Sequence, residues 1–184
     1  VITTSAYSAA RIEEIRTENI TSKFKEGMRV AVVAGFQGVS DTDRTTTLGR
    51  GGSDTTAVAF AAAFDAIRCD IYTDVDGIYT TDPRITEKAK KLNKISFEEM
   101  LELASLGAKV LQTRSVELAM RFNVKLRVLS SFDSPEIGSG TLVCSEEEIM
   151  ESIVVSGIAS SSDEAKLTVI SVAVRPGLAA ASWG

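Results

Sequence analysis

The sequence contains no histidine, and this absence removes several kinds of chemistry from its 184 residues. A Ser-His-Asp or Cys-His catalytic arrangement and a metal site with histidine ligands are excluded within them. Cysteine is scarce too, because only Cys69 and Cys144 occur, each inside a strand-like apolar run. We interpret both as small buried hydrophobic residues in a reducing compartment, the cytoplasm, and the sequence leaves one disulfide between them open.

Long apolar runs and an excess of positive charge are missing as well. No run reaches the roughly 18 residues that a membrane-spanning helix needs, and residues 1–4 show no basic segment followed by an apolar one. The 25 Asp and Glu residues outnumber the 20 Lys and Arg residues, which gives a formal net charge of −5. We therefore expect no nucleic-acid partner and no membrane partner. With 44% hydrophobic residues, the composition is that of a globular protein.

The most informative stretch is the glycine loop, residues 48–54 (Leu-Gly-Arg-Gly-Gly-Ser-Asp). Its glycines allow backbone N–H groups to approach a ligand closely. We expect Ser53 or Asp54 to cap the apolar helix that follows. The positive end of that helix and the forked charge of Arg50 both favour an anion. The alternative is a flexible turn with an ordinary cap, but the combination of residues leads us to favour an anion site.

Around this loop the pattern alternates between helices and strands, which predicts an α/β domain with a mostly parallel sheet flanked by helices. The strand at 124–129 carries charges at Lys125 and Arg127 on one face, so we expect it nearer an edge of the sheet. A capping box at 96–99 (Ser-Phe-Glu-Glu) predicts a helix start. The predicted helices are residues 8–26, 54–67, 97–106 and 109–122, and the predicted strands are residues 29–34, 69–73, 124–129 and 141–144.

Two loops leave predicted strands at their carboxyl ends, where α/β proteins bind ligands. The first, residues 35–38, contains Phe36, which the sequence alone favours as a loop aromatic folded onto the core. The second, residues 73–84, is long and polar. It is either a nucleotide-recognition loop using Thr73, Asp74, Tyr79 and Arg84, or a loop of ordinary turn residues.

Lys109 is predicted in the first turn of a helix, where its charge opposes the helix dipole. Such local conflicts tend to mark functional positions, although a solvated surface lysine is the equally weighted alternative. The acidic residues 145–148 are typical of a linker. Beyond it, residues 153–158 and 165–174 are predicted strands of a second domain.

Three stretches together carry a specific resemblance. They are residues 46–54, residues 72–84 (Tyr-Thr-Asp-Val-Asp-Gly-Ile-Tyr-Thr-Thr-Asp-Pro-Arg) and residues 97–111, which run from Phe-Glu-Glu-Met to Gly-Ala-Lys-Val-Leu. In this order and spacing they resemble aspartate kinase, of the amino-acid kinase superfamily. The likeness extends from Val1 to the region of Cys144. From residue 153 onward the sequence resembles the opening of that family's regulatory ACT domain.

The resemblance implies a three-layer αβα sandwich with a mainly parallel sheet, the amino-acid kinase fold, incomplete at its N-terminus. The catalytic domain would cover residues 1–145, and residues 146–184 would be a linker and a truncated α+β ACT segment. The implied activity is ATP-dependent phosphorylation of the aspartate side chain to 4-phospho-L-aspartate, with Mg²⁺ accompanying ATP. That reaction is the first step of lysine, threonine and methionine biosynthesis. The implied partners are aspartate, ATP and further aspartokinase chains, in a homo-oligomer or another complex.

The resemblance also implies roles for single residues. Asp54 and Lys109 are the implied catalytic residues, and Lys109 also meets the ATP phosphates. The implied aspartate-binding residues are Phe36, Thr47, Arg50, Gly51, Gly52 and Ser53, and the implied ATP-binding residues are Thr73, Asp74, Tyr79 and Arg84.

Two features depart from the family. Its N-terminal lysine-phenylalanine-glycine-glycine motif is absent, and the sequence opens on Val1 rather than methionine. We therefore expect a piece of a longer protein that is not a competent kinase by itself. The acidic residue usual before the Arg-Pro-Gly turn is replaced by Val174, which argues against an effector site there. A non-catalytic nucleotide-binding or regulatory fragment, and a kinase for another amino acid, remain the alternatives.

Overall fold

The computed structural model describes residues 1–107, 110–134 and 140–149. Within these residues, eight strands form two four-stranded sheets. The strands are β1 (Ile2–Thr3), β2 (Ile12–Glu14), β3 (Gln37–Val39), β4 (Thr45–Thr47), β5 (Cys69–Thr73), β6 (Lys94–Ser96), β7 (Leu126–Ser130) and β8 (Thr141–Cys144). The helices are α1 (Glu18–Lys25), α2 (Gly52–Ala63), α3 (Phe97–Ser105) and α4 (Thr113–Phe122), and a short 3-10 helix covers Glu146–Glu148.

The first sheet has the order β2-β1-β3-β4 and leads into the glycine loop. Strand β1 pairs with β2 in antiparallel fashion and with β3 in parallel fashion, and β3 pairs antiparallel with β4. The helix predicted over residues 8–26 is therefore wrong in its first half. Residues 12–14 pair with β1, and only residues 18–25 are helical, ending before Gly27 at φ +101°.

The predicted strand over residues 29–34 does not form. These residues belong to no strand or helix, and Val30 and Val32 are 72% and 96% exposed. A strand needs hydrogen bonds from a neighbour, and within the described residues no main-chain hydrogen bond involves residues 29–34. The apolar, β-rich composition was a correct signal of strand propensity, but propensity without a pairing strand does not make a sheet.

The second sheet has the order β5-β7-β8-β6. Pairs β5–β7 and β6–β8 are parallel, whereas β7–β8 is antiparallel. Strand β7 is an interior strand, so the edge position predicted from its charges is wrong. The reason is that Arg127 is directly opposite Asp70 on β5, and its Nη2 donates to Asp70 Oδ2 at 2.6 Å.

The core lies between the second sheet and helices α2, α3 and α4. Apolar residues on one face of β5 and β7 are directly paired, Cys69 with Leu126 and Ile71 with Val128, and all four are buried. The helices contribute Val58, Met100, Leu103, Val116 and Ala119 to the same cluster.

The helix boundaries follow local signals in part. The predicted capping box is present, because Ser96 Oγ accepts from Glu99 N at 3.2 Å and Ser96 N donates to Glu99 Oε2 at 3.1 Å. Helix α2 ends at Ala63, so Ile67, which was predicted on its buried face, is 92% exposed. Helix α4 begins at Thr113, and Lys109 lies outside the described residues.

Both cysteines are free and buried, as their apolar surroundings predict. Burial raises the pKa of the Cys69 thiol to about 11, and the negative charges of Asp70 and Asp54 add to that effect. The thiol is therefore protonated at neutral pH and a poor nucleophile. The ACT strands predicted at 153–158 and 165–174 and the departure at Val174 lie outside the described residues. No helix in the described part of the chain is long and apolar enough to cross a membrane.

Candidate functional site

The glycine loop leads directly into α2 and leaves its positive end without a side-chain cap. Gly49 and Gly51 have φ values of +77° and +71°, in the left-handed region that favours glycine. Gly51 is the N-cap residue, and no side chain caps the helix. The predicted capping role of Ser53 or Asp54 is therefore wrong, since both lie inside the first turn. An uncapped helix start with close-approaching backbone suits an anionic ligand.

Phe36 lies against this loop rather than in the core. Its backbone has φ +71°, which is uncommon for a bulky residue, and its side chain is 44% exposed. The amide N–H of Phe36 donates to Thr56 Oγ1 at 3.1 Å, and its carbonyl accepts from Leu48 N at 2.9 Å. A Cβ on Gly52 would lie 2.9 Å from the Phe36 ring. The expectation that this aromatic folds onto the core is thus wrong, and the ring forms part of the loop's surroundings.

Asp54 and Ser53 form a local pair in the first turn of α2. The Ser53 hydroxyl donates to Asp54 Oδ1 at 3.4 Å. Burial raises the pKa of the Asp54 carboxyl above its ordinary value, and the Ser53 hydrogen bond offsets this only in part. A carboxylate half-withdrawn from water attracts a cation placed beside it more strongly than a fully exposed carboxylate does.

Thr47 and Arg50 lie next to the same turn, and they differ in exposure and in hydrogen bonding. Arg50 is exposed and forms no ion pair with any described residue, so its guanidinium is open to solvent. Thr47 Oγ1 donates to the Tyr7 carbonyl at 2.9 Å, which leaves this oxygen as an acceptor only. Of these two, Arg50 is the group that can bind an anion directly.

The loop of residues 73–84 begins at the carboxyl end of β5. Thr73 Oγ1 donates to Asp74 Oδ1 at 3.1 Å, and the Thr73 carbonyl accepts from both the N–H and the hydroxyl of Ser131. Helix α2 packs on β5 and is joined to it by residues 64–68.

Tyr79 is hydrogen-bonded to Asp76, which in turn pairs with Lys91. The sequence alone did not predict a role for either neighbour. The Tyr79 hydroxyl donates to Asp76 Oδ1 at 3.0 Å, and Lys91 Nζ donates to Asp76 Oδ2 at 3.1 Å. Burial raises the pKa of Tyr79, and the hydrogen bond to Asp76 adds to that effect. The phenol is therefore protonated at neutral pH, and its proton is donated to Asp76.

Arg84 is exposed and committed to Asp82. Its Nε and Nη2 atoms donate to the Asp82 carboxylate at 3.0 and 2.7 Å, and its backbone N–H donates to Asp82 Oδ1 at 2.8 Å. This Asx-type turn belongs to the ordinary turn chemistry of the alternative interpretation. A phosphate contact would require Arg84 to exchange Asp82 for the ligand. Lys109, the other predicted phosphate contact, lies outside the described residues.

A cavity of about 420 Å³ lies beside α2, and Ser53 and Thr56 are its polar lining residues. The rest of the lining is mostly apolar and includes Phe24, Val33 and Phe60. Such a lining suits hydrocarbon rather than a charged amino acid or a nucleotide. Within the described residues, no group of three or more Asp, Glu, Cys or His side chains could hold a metal ion.

Comparison with known proteins adds a second kind of evidence. The model of the amino acid kinase family matches residues 2–130. The chain is 58% identical over 180 residues to an aspartate kinase of Pseudomonas putida, covering 97% of this chain and 43% of that protein. It is 50% identical over 188 residues to an aspartokinase of Helicobacter pylori, covering all of this chain and 45% of that protein.

Solved structures agree. Escherichia coli aspartokinase III, in complex with aspartate and ADP, superposes with a TM-score of 0.70 at 42% identity, covering 78% of this chain and 32% of that one. The same enzyme with lysine and aspartate gives a TM-score of 0.69 at 41% identity, covering 80% of this chain and 33% of that one. The chain thus spans less than half the length of the relatives that it matches.

Proposed function

The chain belongs to the amino acid kinase family, and we propose that the protein containing it transfers the γ-phosphoryl group of ATP to the side-chain carboxylate of L-aspartate. The product is 4-phospho-L-aspartate, whose consumption we assign to lysine, threonine and methionine biosynthesis in the cytoplasm. The identity to named aspartate kinases over nearly the whole chain supports this substrate over another amino acid. The aspartate and ADP complex of the E. coli relative supports the same pair of ligands.

One structural observation carries the proposal: the start of α2, which no side chain caps, lies beside Arg50, which forms no ion pair with any described residue. Aspartate brings two carboxylates, and ATP brings a polyphosphate chain, so the site must gather anions. Arg50 can hold a substrate carboxylate in a bidentate manner, and Ser53 presents a hydroxyl beside it. Gly51 and Gly52 allow close backbone approach, while Phe36 and Thr47 line the pocket.

The chemistry needs no general base. A carboxylate is already ionised at neutral pH, so its oxygen attacks the γ-phosphorus while the bond to the departing ADP breaks. The work of the protein is to position two anions and to neutralise developing charge. We assign Asp54 to orienting the charged groups around the transferred phosphoryl group and Lys109 to its phosphate oxygens.

We assign the nucleotide to the loop of residues 73–84, through Thr73, Asp74, Tyr79 and Arg84. Mg²⁺ fits this arrangement as an ion held mainly by phosphate and water, because the described residues offer single carboxylates rather than a cage. Bound there, it would neutralise phosphate charge. The alternative, a regulatory fragment that binds nucleotide without turnover, predicts ADP or ATP binding with no dependence on aspartate.

The test is a hydroxamate assay for acyl phosphate, dependent on ATP and aspartate, on the full-length protein and on a panel of other amino acids. We expect activity with aspartate and none with glutamate or N-acetylglutamate. The same assay on the 184-residue chain alone should show no turnover. Equal turnover with another amino acid would overturn the substrate assignment, and nucleotide binding without turnover in the full-length protein would favour the regulatory alternative.

Arg50→Lys tests the substrate side. It keeps the charge and loses the fork, so the KM for aspartate should rise at least about tenfold while the KM for ATP changes little. Arg44→Lys, at an exposed arginine of the turn before β4, is the matched control and should change neither. A rise confined to the KM for ATP would move Arg50 to the phosphate side of the site.

A further inference from the structure

Arg114, in the first turn of α4, reaches across the molecule to the glycine loop. Its Nη1 donates to the Leu48 carbonyl at 3.0 Å, and its Nη2 donates to the Ala10 carbonyl at 3.2 Å. It is partly buried and forms no ion pair with any described residue. One guanidinium therefore joins α4 to Ala10, just before β2, and to Leu48, just after β4, two residues that are 38 positions apart in sequence.

Leu48 is the point at which these connections meet the candidate site. Its carbonyl accepts from Arg114, while its N–H donates to the Phe36 carbonyl at 2.9 Å. Its side chain is 1% exposed, so the residue is fixed at both backbone groups and by packing. Any shift of Leu48 moves Phe36 on one side and Gly49 on the other.

The second hydrogen bond of Arg114 supports the carboxyl end of β4. Ala10 accepts from Arg114 through its carbonyl and donates its own N–H to the Thr47 carbonyl at 2.9 Å. Gln112, just before α4, also contacts the loop, because a Cβ on Gly51 would overlap the Gln112 side chain. The glycine loop and the residue before it are thus contacted at three positions: Thr47 by Ala10, Leu48 by Arg114 and Gly51 by Gln112.

Within α4 nothing favours an arginine at this position. A cation in the first turn opposes the helix dipole, and a partly buried guanidinium loses part of its hydration. The hydrogen bonds to the carbonyls of Leu48 and Ala10 offset that loss, and both acceptors lie outside α4, so the role of Arg114 lies at the glycine loop and the segment before β2. A planar fork that bonds two carbonyls is the one feature that lysine cannot reproduce.

We propose that Arg114 is a positioning residue that sets the affinity for aspartate by fixing the backbone of Leu48, and through it Phe36 and the glycine loop. This inference rests on the proposed function for its substrate. It acts without touching aspartate or ATP. Its loss should therefore loosen the aspartate pocket while the loop of residues 73–84 keeps its nucleotide contacts.

The kinetic test uses Arg114→Gln and Arg114→Lys in the full-length protein, with Arg121→Gln as the control at an exposed arginine on the same helix. Arg114→Gln should raise the KM for aspartate about tenfold or more, with less than about a twofold change in the KM for ATP. Arg114→Lys should raise the KM for aspartate less than Arg114→Gln does, because an ammonium can bond one carbonyl but not both. Arg121→Gln should match the wild type. A purely structural role would instead lower the active fraction, and so kcat, at constant KM.

A second readout does not require activity. Hydrogen–deuterium exchange of the peptide covering residues 45–56, measured without substrates, should become faster in Arg114→Gln and stay unchanged in Arg121→Gln. Faster exchange supports the anchoring even if the wild-type protein proves inactive on aspartate, which would overturn the proposed function alone. Unchanged exchange overturns the inference whatever the kinetics, and so does faster exchange with an unchanged KM for aspartate in an active enzyme. If Arg114→Gln does not fold, both measurements are made on Arg114→Lys and judged by the same criteria.

Discussion

At Asp54, folding and the proposed chemistry have opposite requirements. Burial raises the pKa of its carboxyl, and the Ser53 hydroxyl offsets that only in part. Because the folded-state pKa lies above the unfolded value, the fold disfavours the charged form. The free energy of unfolding is therefore lowered as pH rises through the folded-state pKa. Below the pKa of the unfolded state the carboxyl is protonated in both states, and this destabilisation disappears.

Asp54→Asn should separate these two requirements. Turnover in the full-length protein should fall about a hundredfold or more, the scale for losing one preorganised electrostatic group. The midpoint of thermal unfolding at pH 7 should stay the same or rise, because the desolvated charge is gone. The control is Asp65→Asn, at an exposed position with φ +49° that asparagine tolerates, and it should leave turnover unchanged. Unchanged turnover in Asp54→Asn would reduce this carboxylate to part of a helix start.

At the scale of single elements, the pair of β5 and β7 is stabilised by a charge cluster on the face away from the helices. Burial raises the pKa of Asp70, but hydrogen bonds from Arg127 and Arg68 outweigh it, so the pKa lies below its ordinary value. This cluster therefore adds stability above the unfolded-state pKa of about 4 and loses it as pH falls through the folded-state pKa.

Arg127→Leu should lower the free energy of unfolding at pH 7 by roughly 1 kcal/mol, the scale for a partly exposed ion pair with charge-assisted hydrogen bonds. The difference from the wild type should shrink as pH is lowered from 5 towards 3. Arg68→Leu is the comparison, and we expect a smaller loss because the Arg68 side chain is more exposed, at 38% against 24%. Urea unfolding of the full-length variants at a series of pH values measures both. If the loss of unfolding free energy in Arg127→Leu does not depend on pH, the effect of Arg127 comes from packing of the aliphatic part of its side chain.

The elements differ in how far the sequence predicts them, and pairing is the reason. Residues 69–73 and 29–34 carry the same apolar, β-rich signal, yet only the first form a strand, because β7 is available to pair with it. Residues 12–14 have helix-compatible spacing, but β1 recruits them into a sheet. The capping box at Ser96 was predictable because all of its partners lie within four residues.

The residues of the candidate site also differ in how far the sequence predicts them. The glycines, Arg50 and Asp54 could be proposed as site residues from the sequence, because their chemistry lies within one short segment. The exposed position of Phe36 was not, because it depends on contacts with Leu48 and Gly52. Arg114 was also missed, since its acceptors are 66 and 104 positions away. The predicted convergence of the glycine loop, the loop of residues 73–84 and Lys109 stays a prediction.

At the scale of the whole molecule, the glycine loop is where the two sheets are joined. Strand β4 of the first sheet leads into it, α2 continues from it onto β5 of the second, and Arg114 holds it from α4. Ligand binding at this junction would restrain both sheets together. Stability and substrate affinity should therefore be coupled here more closely than at the loop of residues 73–84.

Residues 29–34 carry two strongly exposed valines. Val30 and Val32 are 72% and 96% exposed, no described residue bonds this backbone, and β5 is an edge strand of its sheet. Exposed backbone beside apolar side chains invites pairing with another strand. We therefore predict that the purified 184-residue chain self-associates and that the double variant Val30→Lys, Val32→Lys is markedly less associated, as measured by light scattering after size-exclusion chromatography. Ile67→Lys, at an isolated residue that is 92% exposed, is the control and should associate like the parent chain. A parent chain that stays monomeric at about 100 μM, well within the concentration range where such edges aggregate, would contradict this prediction.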